Sequence, residues 1–334
     1  MGEAVVMAEV TRGPFVESVH RGHAVVVDAA GEVVRAWGDP ELEMLPRSSC
    51  KMIQALPLVE SGAADAAGLG TRHLALSCAS HNGAAIHTDL VTEWLSGLGL
   101  SEGDLRCGPQ EPADRPAMEA LIRSGEAPCR CHNNCSGKHS GFLTLNRHLG
   151  GGSEYHEPDH VVQKTVRTAF EEVTGLDSPG YGIDGCSAPN FATTLTGLAR
   201  GMAFFAAARE GGGTRGDAAA RLVRAMMAHP ELVAGEGRAC TALMRSMRGR
   251  AAVKTGAEAV FVAILPEQKL GVAVKIEDGT TRGAETAIAA ILVGLGVLDP
   301  AHAAAQAYLH TPLPNRMGYV AGEVRATAAL TEGW

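Results

Sequence analysis

The sequence has no basic stripe. Its 29 lysines and arginines are outnumbered by 37 acidic residues, for a net charge of -8. A surface of that sign does not gather phosphate, so no nucleic-acid partner is expected. There is no long apolar run either. Thr286 to Leu298 is the longest, and Gly294 and Gly296 interrupt it; a membrane helix needs roughly 20 apolar residues. No secretory signal is visible, because Met1-Gly2-Glu3-Ala4 is acidic and leads straight into a strand pattern. These absences read as a soluble, cytoplasmic protein that engages no membrane. Internal repeats are missing too. Gly150-Gly151-Gly152 and Gly211-Gly212-Gly213 are the only flexible breaks, and neither marks a domain boundary.

What is present is ordinary globular material: 334 residues, 46% hydrophobic and 20% charged. That is enough for a sizeable core, and the chain reads as a single domain over 1–334. Eight cysteines occur, but a chain of this length without an export signal does not need disulfides. Most read as reduced, small core residues. Cys129, Cys131 and Cys135 are clustered closely enough to ask for another explanation.

Short β-branched runs at Val5-Val6-Met7, Ala24 to Val27 and Glu32 to Trp37 predict strands. A helix is predicted just after Ser48, with Pro57 kinking or shortening it. Leu74 to Ser77 reads as a strand. Helical spacing covers Ala85–Leu98, Ala117–Ile122, Pro158–Val173, Phe191–Ala208 and Ala218–Met227. Glu258–Leu265 and Leu270–Glu277 flank the turn Pro266-Glu267-Gln268-Lys269 as a hairpin, and Thr281–Leu298 reads as a closing helix. Strands at both ends around a helical middle, roughly 84–250, predict an α/β fold with the terminal strands sharing one sheet.

Three short motifs could carry chemistry. In Arg47-Ser48-Ser49-Cys50-Lys51, a helical start would put Ser48 and Lys51 on one face. A serine hydroxyl becomes a nucleophile when a neighbouring base takes its proton, and a desolvated lysine can be that base. The plainer reading is an N-cap serine followed by an exposed lysine. Ser80-His81-Asn82 and Lys254-Thr255-Gly256 complete the order S-x-x-K, S-x-N, K-T-G used by penicillin-recognising serine enzymes. Ser80 follows Ser48 too soon to leave room for an intervening helical domain, which argues against a close relation to β-lactamases. The densest cluster is Cys131-His132-Asn133-Asn134-Cys135-Ser136-Gly137-Lys138-His139, with a second thiol in Asp184-Gly185-Cys186 ahead of a predicted helix. Thiol and imidazole suit zinc, and Cys131, Cys135, His139 and Cys186 would be a conventional closed set. Buried thiols packing helix starts are the alternative.

Taken together, Arg47-Ser48-x-x-Lys51 with Ile53-Gln54-Ala55-Leu56-Pro57, Ser80-His81-Asn82-Gly83, the Cys131–His139 segment, Asp184-Gly185-Cys186-Ser187-Ala188-Pro189, His229-Pro230-Glu231-x-Val233-Ala234-Gly235 and Lys254-x-Gly256-Ala257-Glu258 resemble the rhizobial-type L-asparaginase family, the third asparaginase class. The resemblance spans roughly residues 4 to 297. It implies a fold like that of serine β-lactamases and glutaminases, a mainly antiparallel sheet flanked by helices, in a homodimer. It implies two Ser-Lys tandems, Ser48 with Lys51 and Ser80 with Lys254. It further implies a zinc ion (Zn2+) held by Cys135, Lys138, Cys186 and water, with Asp184 orienting ligands nearby.

On that resemblance the expected reaction is hydrolysis of L-asparagine, a small-molecule substrate, to aspartate and ammonia. Ser48, relieved of its proton through Lys51, would attack the side-chain amide, while Ser80 and Lys254 relay protons or hold the oxyanion. Arg47 and His139 are the candidate partners of the substrate carboxylate. Two rivals use the same residues differently. A glutaminase or penicillin-type hydrolase would turn the Ser-Lys pairs on another amide; a non-enzymatic zinc-binding protein would not need them.

Overall fold

The computed structural model describes residues 2–334. The chain forms two compact units. One comprises the chain up to Ser49 with Thr193–Ala207 and Ala242–Trp334; the other comprises Cys50–Ala192 and Ala208–Thr241.

The first unit is built on an eight-stranded, wholly antiparallel sheet. Its strands are β1 Val5–Arg12, β2 Phe15–Asp28, β3 Val33–Trp37, β4 Ala252–Thr255, β5 Val260–Leu265, β6 Leu270–Ile276, β7 His310–Pro314 and β8 Val320–Ala326. Their order is β7-β8-β1-β2-β6-β5-β4, with β3 pairing β2 off this path. Strands from both ends of the sequence therefore share one sheet, and Glu9 faces Arg325 across it.

Helices cover both faces, and β6 shows how. Side chains alternate along a strand. A Cβ at Gly271 would come within 2.2 Å of Ala199 O and Ala203 N, so only glycine admits the helix Leu195–Ala207 at that distance. Ile276, five residues on and so on the opposite face, packs at Gly283 of the helix Thr281–Gly294. Being covered on both sides, β5 is buried at every residue and reads as one unbroken apolar run rather than an alternation.

The second unit is helical and organised around Ser136–Leu149, which is buried from Ser136 to Asn146. Helices Leu56–Glu60, Ala63–Ala66, Thr71–Ser77, Ala85–Gly97 and Val161–Thr174 pack around it. Gly137 makes the approach possible: a Cβ there would lie 2.3 Å from Leu76 O. Two short strands, Tyr181–Ile183 and Pro189–Phe191, form a small hairpin.

The α/β class, antiparallel sheet and helical region agree with expectation, and several elements differ. Leu74 to Ser77 is the end of a helix, not a strand; a short buried apolar run has no period that separates the two. Pro158 precedes its helix, which starts at Val161 with His160 as the cap. Phe191 ends a strand, and the helix expected there begins at Leu195. The chain does not close on the helix after Thr281, since β7 and β8 follow it. Pro57 does divide the predicted helix, into Lys51–Gln54 and Leu56–Glu60. Among the described residues no helix is long and apolar enough to cross a membrane.

Candidate active site

Within the helical unit, Lys51 is 1% exposed, which rules out the exposed-lysine reading. Its Nζ donates to the carbonyl of Ala79, the residue before Ser80, and lies 3.1 Å from Cys135 Sγ and 3.5 Å from Asn134 O. Ser80 is buried, and its amide donates to Val233 O at 2.9 Å. The loop after His229 supports this segment closely. Gly235 has φ +105, and a Cβ on it would fall 2.4 Å from the Asn82 side chain. His81 hydrogen-bonds Ser136 Oγ through Nε2 at 2.9 Å and stacks on His87 at 4.7 Å. Burial, then the neighbouring His87, hold the His81 imidazole well below its usual pKa, so it is neutral.

The thiols and Lys138 meet one turn further on. Cys135 caps the central helix, and Cys186 sits in the hairpin turn between Ile183 and Pro189 rather than ahead of a helix. Ser187, at φ +70, closes that turn by donating to Asp184 O at 2.8 Å. Lys138 Nζ lies 2.9 Å from Cys186 Sγ, and both are 3% exposed. A hydrogen bond between Cys135 and Cys186 raises the first thiol's pKa and lowers the second's. Burial works against the Lys138 ammonium, but the Cys186 and Cys135 charges outweigh it and raise its pKa. His139 donates or accepts at Tyr155 Oη through Nδ1 at 2.9 Å, and burial lowers its pKa to about 4. Its Nε2 is buried near Cys186 without a hydrogen bond of good geometry.

That donor set fits a thiophilic cation. Two sulfurs lie together, an amine touches one of them, and an imidazole nitrogen is buried nearby without a hydrogen bond of good geometry. An ion would displace protons from Cys135 and Lys138, which ties its affinity to pH. Asp184 is half-buried in the same turn, and its charge acts on Lys138.

In the sheet unit, Arg47 and Ser48 lie in the short 3-10 turn Arg47–Cys50, with Arg47 at φ +52 and Ser48 half-buried. Lys254 lies in β4 one residue before its end, is fully buried and donates to Thr255 O at 2.6 Å. The unit brings these segments together at Gly256, where a Cβ would lie 2.8 Å from Pro46 O and 3.0 Å from Ser49 N. Arg47 Nη1 is 3.8 Å from Glu258 Oε1, so the residue expected to bind a substrate carboxylate already has one beside it.

A family model for L-asparaginase II matches residues 8–326. The chain belongs to the L-asparaginase II family. It is accordingly an amidohydrolase. Comparison with curated protein sequences gives no match. Among solved structures, the chain is similar to a putative beta-lactamase from Bacteroides dorei, at 13% identity over 83% of this chain and 91% of that one, with a TM-score of 0.45. It is similar also to Mglu in its tris and glutamate form, at 14% identity over 89% of this chain and 63% of that one, with a TM-score of 0.47. A beta-lactamase from Mycobacterium bovis follows at 13% identity, 82% and 94% coverage and a TM-score of 0.38. These are distant likenesses.

The asparaginase-family chain also holds residues that sequence reasoning missed. Tyr155, fully buried, fixes His139 from one side while accepting from the Arg106 amide at 2.8 Å. Glu258, facing Arg47, stood only as the last residue of a quoted motif and the start of a predicted strand. Glu102, Cys129 and Cys131 bring three ligand atoms within 4.8 Å of one another and could hold a metal ion. Both thiols were visible in the sequence as a close pair; Glu102 had no local signal, being joined to them only by folding.

Proposed function

We propose that the chain is a rhizobial-type L-asparaginase, cytoplasmic and homodimeric, that hydrolyses L-asparagine to L-aspartate and ammonia. Membership of the L-asparaginase II family supports the reaction class. The observation that carries the assignment of residues is Lys51, buried one helical turn after Ser48 and tied to the residue before Ser80.

In this reading Ser48 Oγ attacks the side-chain amide carbon while Lys51 takes its proton. Protonation of the leaving nitrogen then releases ammonia and leaves an acyl-serine. Water hydrolyses that ester with the proton moving back through the lysine. Ser80 and Lys254 form the second tandem, relaying protons or holding the oxyanion. Arg47 and His139 would take the substrate carboxylate, in Arg47's case by displacing Glu258. Zinc would be held by Cys135, Lys138 and Cys186, with Asp184 orienting its surroundings. Bound there, it supplies positive charge that helps position the substrate.

The test is ammonia release from L-asparagine by purified, zinc-supplemented protein, with L-glutamine in parallel. Turnover of asparagine with little from glutamine supports the proposal. Turnover confined to glutamine would make it a glutaminase, and acylation by a fluorescent penicillin would favour the lactam reading. Folded protein silent on all three, but unfolded by chelation, would leave a zinc-binding protein. Sedimentation velocity checks the dimer.

A further inference from the structure

We propose that Glu102, Cys129 and Cys131 form a second cation site, for a thiophilic ion of the zinc or cadmium class, distinct from the Cys135 and Cys186 centre. The proposal does not rest on the asparaginase reading. The three donor atoms lie within 4.8 Å of one another. Zinc binds sulfur at about 2.3 Å and carboxylate oxygen at about 2.1 Å in a tetrahedron, so donors in one shell lie about 3.6–3.8 Å apart. Small side-chain rotations close the difference.

The backbone has already placed the donors. Cys129 caps the 3-10 turn Arg130–His132, which carries Cys131, and Glu102 opens a second such turn, Glu102–Asp104. The two turns are pinned together. Glu102 Oε2 accepts from the Arg130 amide at 2.8 Å, and the Arg130 guanidinium donates to Gly103 O at 2.8 Å and Leu105 O at 2.7 Å. Asn133 Nδ2 adds bonds to Cys107 O at 2.8 Å and Gly108 O at 3.1 Å. An ion would thus find a carboxylate held over two thiols, with little chain left to order on binding.

Chemistry selects the class of ion. Two sulfurs and one carboxylate suit zinc or cadmium and do not suit magnesium or calcium, which take oxygen. Burial grades from Cys131, buried, through Cys129, half-buried, to Glu102, exposed, which leaves an entry path and a position for water. His132 Nδ1 is 3.2 Å from Cys129 Sγ and accepts from the Cys129 amide at 3.1 Å. It therefore orients the thiol and is not a ligand. Thr92 Oγ1 meets Cys131 Sγ at 3.8 Å from the other side. Binding is balanced by release of the two thiol protons to solvent, which leaves two thiolates, one carboxylate and a divalent ion. Its structural effect would be to cross-link the two turns ahead of Cys135.

The experiment titrates the whole, metal-free protein with cadmium and counts equivalents from the ultraviolet thiolate-to-cadmium charge-transfer band. The wild type should bind two equivalents, Cys129→Ser one with about half the band, and Cys186→Ser the other one. Cys129→Ser should hydrolyse amide as the wild type does. Glu102→Gln keeps an oxygen that can accept from the Arg130 amide, so the two turns stay pinned. It should weaken one equivalent by about tenfold or more. Equal equivalents in the wild type and Cys129→Ser, with unchanged affinity in Glu102→Gln, would overturn the site and leave the Cys186 centre untouched. Loss of a single wild-type equivalent in Cys129→Ser but not in Cys186→Ser would support it while removing the zinc reading at Cys186.

Discussion

Lys51 Nζ and Cys135 Sγ lie 3.1 Å apart in the interior, and the same nitrogen donates to the carbonyl of Ala79. One buried amine thus ties the residue preceding Ser80 to a thiol of the candidate metal centre. A perturbation at that thiol has a route of two contacts to the serine segment. A lysine so placed earns its burial only if its amine is used, because a buried amine is costly to desolvate.

Lys51→Met keeps most of the stem and removes the amine. It should lower kcat on L-asparagine by about 10^2- to 10^4-fold, the usual worth of a positioned base. Leaving the Ala79 carbonyl without its donor should cost about 1–3 kcal/mol of stability. Ammonia release and thermal melts read the two effects separately; a variant with wild-type kcat would remove Lys51 from the chemistry.

Gly256→Ala tests how the segment after Lys254 meets the Ser48 turn. Its Cβ would lie 2.8 Å from Pro46 O and 3.0 Å from Ser49 N, both backbone atoms that cannot rotate away. The turn must shift, at a cost of about 1–3 kcal/mol. Because that turn carries Ser48, kcat should fall more than the loss of stability explains. Urea unfolding beside steady-state kinetics makes the comparison.

Cys186→Ser removes the sulfur in contact with Lys138 and Cys135. If zinc helps position substrate, the variant should bind less metal and show a rise in KM exceeding its loss in kcat. Zinc content by elemental analysis with paired kinetics checks this. An unchanged KM with depleted zinc would separate the ion from substrate binding.

Acid should destabilise the protein through His81. Its imidazole is held well below 6.5 by burial and by His87, Lys51 and His132, so the unfolded state takes up the proton first as pH falls. More protons on the unfolded chain mean that stability rises with pH through this window, is complete above about 6.5, and declines below it. His81→Gln should flatten urea-unfolding free energies between about pH 7 and pH 5. His87, also lowered by burial, supplies a smaller share, which the double variant would remove. A slope identical to the wild type would locate the acid sensitivity elsewhere.

Much of the candidate site was legible in local sequence. Ser48 and Lys51 are three residues apart and need only one helical turn to be related. Cys135 and Lys138 are likewise three apart, on a helix that opens after Cys135. Other relations were out of reach. Cys186 meets Lys138 because a hairpin, anticipated as a helix start, turns the thiol inward. The carboxylate facing Arg47 comes from Glu258, far along the chain, and Glu102 joins Cys129 and Cys131 only through contacts made by Arg130 and Asn133.

Motif and period, then, were sufficient for the L-asparaginase II family and the α/β class, because those follow from residue type and short spacing. Tertiary structure alone decided that β8 returns to pair with β1 and carries β7 beyond it, that Leu74 to Ser77 is helical, and that Lys51 is buried against Cys135. Each depends on which distant backbone comes close enough to exclude water, and Gly137 and Gly271 permit such approaches by lacking a side chain. A local sequence window carries the donors and acceptors; it does not carry the partner that desolvates them.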